Sequence, residues 1–236
     1  MNHHELVREI TQELYSAENI SALMLYGSVS RNEEAAHSDI DFLVIVYEKH
    51  CQKRHIVRSG ITIEYLEMHA EYLQDFIDRN EIPVLFTLIE GIVLFDKTSI
   101  FEQFITQARN IIDRGPPINE KWKNARYITK QRSDITEIYN DLLDTEDEII
   151  FHYLIALFIT TAMPLLNENY HLWPKTRKKT IQHLQSQCYE GYQCIEILLS
   201  SNFSLTEKRN AAKNLIEYAL KQHGGLLKGD AVIFKF

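Results

Sequence analysis

The run of residues 40–47 constrains the fold of this chain more than any other segment. It reads Ile-Asp-Phe-Leu-Val-Ile-Val-Tyr, so every residue after Asp41 is apolar or aromatic. A strand with such unbroken apolar character is buried on both faces, which happens in the middle of a sheet covered by helices. The sequence therefore predicts a central β-strand here, and with it a domain built around a sheet.

The segments around this strand alternate between strand and helix signals. Ile20–Tyr26 is a short apolar run that stops at Gly27-Ser28. Two β-branched runs, 56–58 and 61–65, flank Ser59-Gly60 and indicate a hairpin. Further elements are predicted from periodicity: helices at 5–14, 70–79, 83–90 and 99–112, and a strand at 92–95. We expect an α/β domain with a small mixed sheet flanked by helices.

A change in charge marks a boundary near the middle of the chain. The net charge is −8, with ten basic and nineteen acidic residues up to Pro116, and fifteen basic and fourteen acidic residues after it. The change coincides with Arg114-Gly115-Pro116-Pro117, which stops a helix and stiffens the chain. We therefore predict two domains, residues 1–116 and residues 117–236.

The second of these domains carries helical signals throughout. Helices are predicted at residues 119–143, 146–167, 175–188, 190–199 and 205–222. The last helix is the clearest, because Ser204 is an N-cap residue placed directly before an apolar stripe. The sequence predicts an all-α helical-bundle domain.

Composition excludes several classes of protein. A chain with 45% hydrophobic and 25% charged residues is globular rather than disordered. Its acidic balance repels phosphate backbones, so we expect no nucleic-acid partner. Three scattered cysteines and a charged first turn in place of a secretory signal favour a cytoplasmic location. The apolar run Ile149–Leu166 falls short of the roughly 20 residues that a bilayer requires, so we expect a buried helix and no membrane.

Acidic residues in and near the predicted strands carry the chemical signal. Asp39 and Asp41 project from the same face, because side chains alternate across a strand. Neighbouring carboxylates repel unless a cation lies between them, and all-oxygen ligation favours magnesium where phosphates complete its shell. Glu64 stands in another apolar strand context, and it joins the two aspartates in a two-metal site if that strand neighbours 40–47. Glu67 points to the opposite face, so we favour Glu64.

The Gly27-Ser28 turn complements the carboxylates. Glycine allows a ligand to approach the backbone closely, and the amides of Ser28 and Val29 can point at an anion. A site with metal on one side and phosphates on the other is equipped for nucleotidyl transfer. In that reaction an acceptor hydroxyl attacks the α-phosphorus of a nucleoside triphosphate and pyrophosphate leaves.

One motif of this chain resembles the signature of the polymerase-β nucleotidyltransferase superfamily. It consists of Gly27-Ser28, a spacing of ten residues, and then Asp39-Ile40-Asp41 on an apolar strand. The two-part arrangement resembles the kanamycin and streptomycin/spectinomycin adenylyltransferases. The resemblance implies that Asp39 and Asp41 bind magnesium and that Gly27 and Ser28 bind the triphosphate. It also implies an acid that deprotonates the acceptor hydroxyl. In the streptomycin-type enzymes this is a third-strand acid, matched by Glu64, whereas the kanamycin-type enzymes use a helical-domain acid that no motif places here.

Cations in the second domain are further candidates for binding the nucleotide. Arg126 and Lys130 are spaced to contact the β- and γ-phosphates, although Asp134 continues the same row and a solvated helix face is the alternative. The basic cluster consists of four residues whose role stays open: Lys175, Arg177, Lys178 and Lys179.

The sequence thus predicts a nucleotidyltransferase that uses two magnesium ions and ATP or another nucleoside triphosphate. The predicted acceptor is a hydroxyl group of a small molecule, for example an aminoglycoside. One alternative is an antitoxin that adenylylates a HEPN-type toxin, and another is a catalytically silent nucleotide sensor. The base preference and the acceptor stay open. So does a homodimer, since a second subunit completes the cleft in several relatives of the superfamily.

Overall fold

The protein is described by a computed structural model that covers residues 2–117, 119–175 and 177–227. Its internal contacts divide the chain into two compact units, Met1–Arg114 and Gly115–Phe236. The division falls inside the Arg114–Pro117 segment, two residues before the predicted boundary. We refer to these as the first and the second unit.

The first unit, over its described residues, contains a five-stranded mixed sheet with the strand order β3-β4-β2-β1-β5. Strands β2 and β4 are parallel, and the other neighbouring pairs are antiparallel. The strands are β1 (Ile20–Tyr26), β2 (Ile40–Val46), β3 (Cys51–Arg58), β4 (Ile61–His69) and β5 (Ile92–Asp96). The helices are α1 (His3–Tyr15), α2 (Gly27–Ser30), α3 (Ala70–Asp78), α4 (Ile82–Glu90) and α5 (Ile100–Asp113). The predicted small mixed sheet flanked by helices is confirmed.

Strand β2 lies in the middle of this sheet, as its apolar run predicts. Its residues from Phe42 to Val46 are all buried. One face of the sheet packs against α1, with α1 and the strands contributing to a single buried cluster that includes Leu6, Ile10, Phe42 and Tyr65. Helix α1 begins with a capping box between Asn2 and Glu5, which satisfies two backbone amides that the helix leaves unpaired.

Strand β3 is the main difference between the predicted and observed sheets. It begins at Cys51, five residues before the predicted run at Ile56. Because β3 is an edge strand with its first five residues exposed, it lacks the apolar run from which a strand is recognised. The longer hairpin brings the side chains of Lys53 and His55 onto the sheet.

The second unit is helical throughout its described residues, as predicted. A 3₁₀ turn at Glu120–Lys123 precedes the α-helices, which are α6 (Ala125–Asp144), α7 (Glu148–Asn169), α8 (Arg177–Gln187), α9 (Tyr189–Leu199) and α10 (Leu205–Ala219). The predicted helix 119–143 is thus divided at Asn124, whose side chain caps α6 by accepting from two amides of its first turn. Helix α10 begins with the predicted cap at Ser204.

Helix α7 is longer than the apolar run that predicts it. It has 22 residues, so the expectation that it falls short of a membrane span is wrong: by length and composition alone it could cross a membrane. Eight of its residues, among them Phe151, Phe158 and Leu165, are nevertheless buried in the core of the second unit. The core helix of a globular domain meets the same test of length and composition, so a single such helix is weak grounds for a membrane span.

Candidate active site

Strand register brings four polar side chains into one row across the sheet. Tyr26 on β1 pairs with Asp41 on β2, Asp41 pairs with Glu64 on β4, and Glu64 pairs with His55 on β3. Their sequence neighbours face the α1 side of the sheet, as Phe42 does, so alternation places this row on the opposite face. The row runs along the end of the sheet where β1 stops and β2 starts.

Three carboxylates meet at this end of the sheet, two from the row and one from Asp39, just before β2. One oxygen each from Asp39, Asp41 and Glu64 lies within 4.8 Å of the others. Asp39 is exposed just before β2, Asp41 is half-buried, and the side chain of Glu64 is only 12% exposed. Strand β4 is therefore the neighbour of β2 that the predicted three-carboxylate cluster requires.

The electrostatics of Asp41 show the cost of this arrangement. Burial raises the pKa of Asp41 to about 7, the charges of Asp39 and Glu64 add to the rise, and Lys53 and Arg31 oppose it. A carboxyl in such surroundings ionises more readily when a cation neutralises the cluster. Clustered carboxylate oxygens are the donors that magnesium prefers, so the residues present fit a divalent cation of that kind.

Tyr26 is a member of the site that the sequence does not reveal. Its hydroxyl donates a hydrogen bond to Oε1 of Glu64 over 3.2 Å. Burial raises the pKa of the Tyr26 phenol well above its usual value, and the charges of Asp41 and Glu64 raise it further. The phenol therefore stays protonated and holds one oxygen of Glu64. In the sequence, Tyr26 stands at the end of an apolar run and is indistinguishable from a core residue.

Lys53 is a second member that sequence reasoning missed. Its Nζ lies 2.8 Å from Oε2 of Glu64, and Nε2 of His55 lies 3.6 Å from the same oxygen. No basic residue is adjacent in sequence to Asp39, Asp41 or Glu64, so a local search finds no counter-ion. Alternation along β3 places Lys53 and His55 on the same face. This pattern would have identified both residues as neighbours of Glu64 if β3 had been predicted to begin at Cys51.

Gly27 closes the site at the end of β1. Its φ of +78° is a conformation that residues with a side chain rarely adopt. A Cβ atom on Gly27 would lie 2.0 Å from Oδ2 of Asp41, so the absence of a side chain is also required by contact. The backbone then turns into α2 through Ser28. The Gly27-Ser28 turn and the carboxylates therefore lie side by side.

The loop that carries Asp39 is attached at both ends. At its start, Nη1 of Arg31 lies 3.3 Å from a carboxylate oxygen of Glu90 at the end of α4. At its end, Nε2 of His3 on α1 lies 2.9 Å from the backbone oxygen of Ser38, the residue before Asp39. These contacts fix the approach of the loop to β2.

Glu67 and Lys130, two further candidates from the sequence, pair with residues outside the carboxylate cluster. Glu67 accepts hydrogen bonds from Arg54 at 2.5 Å and from Gln52 at 2.7 Å, on the face expected from alternation. On α6, Nζ of Lys130 lies 2.6 Å from Asp134, which continues the row as the alternative interpretation anticipates. Phosphate contact by Arg126 and Lys130 stays a prediction.

The basic cluster, consisting of Lys175, Arg177, Lys178 and Lys179, is described only in part. Arg177 begins α8, whereas the side chains of Arg177 and Lys178 lie outside the described part of the chain. The role of this cluster is therefore as open as the sequence leaves it.

The mixed sheet, the clustered carboxylates and the adjacent glycine turn fit the nucleotidyltransferase signature that the sequence resembles. Residues 8–100 match the family described as polymerase beta, nucleotidyltransferase, a range that includes all five strands and the whole carboxylate row. The first unit thus carries a nucleotidyltransferase domain of the polymerase-β family, and the activity of the enzyme is nucleotidyl transfer.

Comparison with solved structures and curated proteins adds little to this. A nucleotidyltransferase-like protein from Exiguobacterium sibiricum 255-15 is similar with 14% sequence identity and a TM-score of 0.44, over 94% of this chain and 75% of that chain. No curated protein matches the chain. The resemblance to antibiotic nucleotidyltransferases stays a prediction.

Proposed function

We propose that this protein is a magnesium-dependent nucleotidyltransferase that transfers AMP from ATP to a hydroxyl group of a small molecule. One observation carries the proposal: oxygens of Asp39, Asp41 and Glu64 converge within 4.8 Å on neighbouring strands. Gly27 has no side chain, which lets the Asp41 carboxylate lie against the backbone and puts the Gly27-Ser28 turn directly beside the cluster. A cluster of this kind is costly in a protein that only needs to be stable.

Asp39 and Asp41 are the residues that would hold the magnesium ions, with Glu64 as the third carboxylate. When bound, such ions neutralise the charge of the triphosphate and orient it for in-line displacement. The backbone amides of Ser28 and Val29 would donate to the triphosphate, because a short turn after Gly27 leaves them without helical partners. We propose two ions because three clustered carboxylates are expected to form a two-metal site.

Glu64 is the acid that we assign to the acceptor. Its Oε1 is held by the Tyr26 hydroxyl, which leaves Oε2 on the side of the exposed strand β3. In the proposed reaction the carboxylate of Glu64 accepts the proton of the acceptor hydroxyl, the hydroxyl oxygen bonds to the α-phosphorus, and the bond to pyrophosphate breaks.

The charge and the thiols of the chain support the remaining parts of the proposal. The first unit contains about twice as many acidic as basic residues, which favours a cationic acceptor such as an aminoglycoside. Cys51, Cys188 and Cys194 are free thiols, two of them buried, which suits a reducing cytoplasm.

The test is a transfer assay with ATP labelled at the α-phosphate, magnesium, and a panel of aminoglycosides and lincosamides. We expect a labelled small molecule with the wild type and with Glu67→Gln, a control that alters an acid on the other face of β4. We expect none with Asp41→Asn. Parallel reactions with labelled GTP, CTP and UTP give the base preference.

Other outcomes would contradict the proposal in defined ways. A single labelled protein band from cell lysate, without small-molecule labelling, would favour the toxin-modifying alternative. ATP binding without any transfer would favour the nucleotide sensor.

A further inference from the structure

Each carboxylate oxygen of Glu64 has a different donor among the described residues. The Tyr26 hydroxyl donates to Oε1 over 3.2 Å, and Nζ of Lys53 lies 2.8 Å from Oε2. Glu64 is therefore held between a neutral donor from β1 and a charged donor from β3. A metal ion that binds Glu64 through Oε2 competes there with the positive charge of Lys53.

The two donors differ in how easily they can leave. Tyr26 is largely buried and its strand is paired on both sides, by β2 and β5. Lys53 stands on the edge strand β3, and 54% of its side chain is exposed. A lysine has four rotatable bonds and can turn into water at little cost, whereas the phenol of a buried tyrosine cannot. Oε2 is therefore the oxygen that can be released.

We propose that Lys53 is an internal counter-ion that competes with divalent cations for Glu64. The proposal rests on the metal site of the proposed function and adds a residue that regulates its occupancy. In the absence of metal, the Lys53 ammonium neutralises part of the cluster. A divalent ion bound through Oε2 would repel the ammonium from that oxygen, because two positive charges in contact with one oxygen lie close enough to repel each other strongly.

The reach of the Lys53 charge extends beyond Glu64. Lys53 also stabilises the ionised form of Asp41, and so lowers a pKa that burial and the carboxylates of Asp39 and Glu64 raise. Removing the Lys53 charge therefore leaves the whole cluster more negative and more attractive to a cation. The competition is expected to weaken metal binding without preventing it, since half-exposed ion pairs are modest in strength.

The test is Mn²⁺ binding to the full chain without nucleotide, measured from the electron paramagnetic resonance signal of free Mn²⁺. We expect Lys53→Met to lower the dissociation constant roughly three- to tenfold, in line with the strength of a partly exposed pair. Lys53→Arg keeps the charge and should bind Mn²⁺ like the wild type.

Lys49→Met is the matched control for total charge. Lys49 is also on the first unit and also exposed, but its Nζ lies 2.5 Å from Glu71, at the other end of β2 from Asp41. We expect Lys49→Met to bind Mn²⁺ with nearly the wild-type constant. Equal constants for Lys53→Met, Lys49→Met and the wild type would overturn the proposal.

Asp41→Asn separates this proposal from the proposed function. Loss of Mn²⁺ binding in Asp41→Asn, together with no effect of Lys53→Met, would leave the metal site standing and remove only the role of Lys53. Undiminished binding by Asp41→Asn would instead show that the metal lies elsewhere, and both proposals would be wrong. The supporting result is weaker binding in Asp41→Asn and tighter binding in Lys53→Met.

Discussion

Asp41 and Glu64 stand side by side in register on the parallel strands β2 and β4. Adjacent strands are roughly 4.8 Å apart, so two side chains on the same face in register approach within contact of one small cation. In the chain, the two residues are separated by the rest of β2, the β2–β3 turn, and strand β3 with its turn into β4. The site therefore depends on the topology of the sheet as well as on its individual residues.

Replacement of Gly27 by alanine tests the closeness of the turn to Asp41. The positive φ costs about 1–2 kcal/mol for a residue with a side chain, and the contact with Oδ2 of Asp41 adds to it. We expect Gly27→Ala to lower the free energy of unfolding by more than about 2 kcal/mol and to abolish transfer. Urea unfolding and the labelled-ATP assay measure the two effects.

Gly60→Ala is the matched control for this change. Gly60 has the same φ of +78°, but no heavy atom lies within 4 Å of the position of an added Cβ. We expect a loss of about 1 kcal/mol in unfolding free energy and unchanged transfer. Equal losses in both variants would mean that backbone conformation, and not contact with Asp41, decides the choice of glycine at residue 27.

Asp41→Asn separates function from stability. The variant keeps the shape of the side chain and removes one charge from a repelling cluster. We expect transfer to fall at least about a hundredfold, because a metal-binding carboxylate is lost. In metal-free buffer at about pH 8 we expect the free energy of unfolding to rise by about 1 kcal/mol. Transfer at the wild-type rate would exclude the proposed role of Asp41.

The raised pKa of Asp41 predicts the direction of a pH effect on stability. Folding raises this pKa from 3.8 to about 7, chiefly through burial, so the folded protein binds the proton more tightly than the unfolded chain. The resulting stabilisation is complete below about pH 4 and is lost as the pH rises to about 7. Urea unfolding of chelator-treated protein should show wild type losing stability relative to Asp41→Asn between about pH 5 and about pH 8. Parallel pH profiles of the two proteins would contradict this.

Tyr26→Phe tests whether the phenol positions Glu64. The change removes the hydrogen bond to Oε1 and keeps the buried ring. We expect kcat to fall roughly tenfold, with KM for ATP little changed and unfolding free energy lower by about 1 kcal/mol. Tyr65→Phe is the control, because Tyr65 lies on the α1 side of the sheet and stacks on Phe42 at 5.6 Å. A fall in kcat of the same size in the control would assign the effect to packing.

Local signals were sufficient to predict the centre of the site. The apolar run of β2 identifies a buried strand, and alternation then places Asp39 and Asp41 on one face. Gly27 marks the end of β1 because glycine interrupts an apolar run. Each of these inferences uses neighbouring residues only, and each agrees with the fold.

The contacts of Glu64 could not be predicted in the same way. Its partners Tyr26 and Lys53 come from strands on either side, and the pairing order of strands is a property of the whole sheet. The first residues of β3 are exposed and mostly polar, so no apolar pattern in the sequence indicates the strand that carries Lys53. Tyr26 gives no polar signal because a tyrosine in an apolar run resembles a core residue.

In the second unit, the limits of prediction lie at helix ends. The side chain of Asn124 accepts hydrogen bonds from the first amides of α6 and so starts a new helix. This capping competes with the continuous helix 119–143 that the sequence predicts. Helix α7 ends at Asn169, two residues after the predicted end at Asn167, because polar residues can extend a helix that packing already holds.

The most direct test of the central claim is the anomalous scattering of Mn²⁺ in crystals grown with a non-hydrolysable ATP analogue. We expect a peak within about 2.3 Å of carboxylate oxygens of both Asp39 and Asp41, beside Gly27. A Mn²⁺ ion held by other residues, with these two carboxylates unligated, would contradict the account.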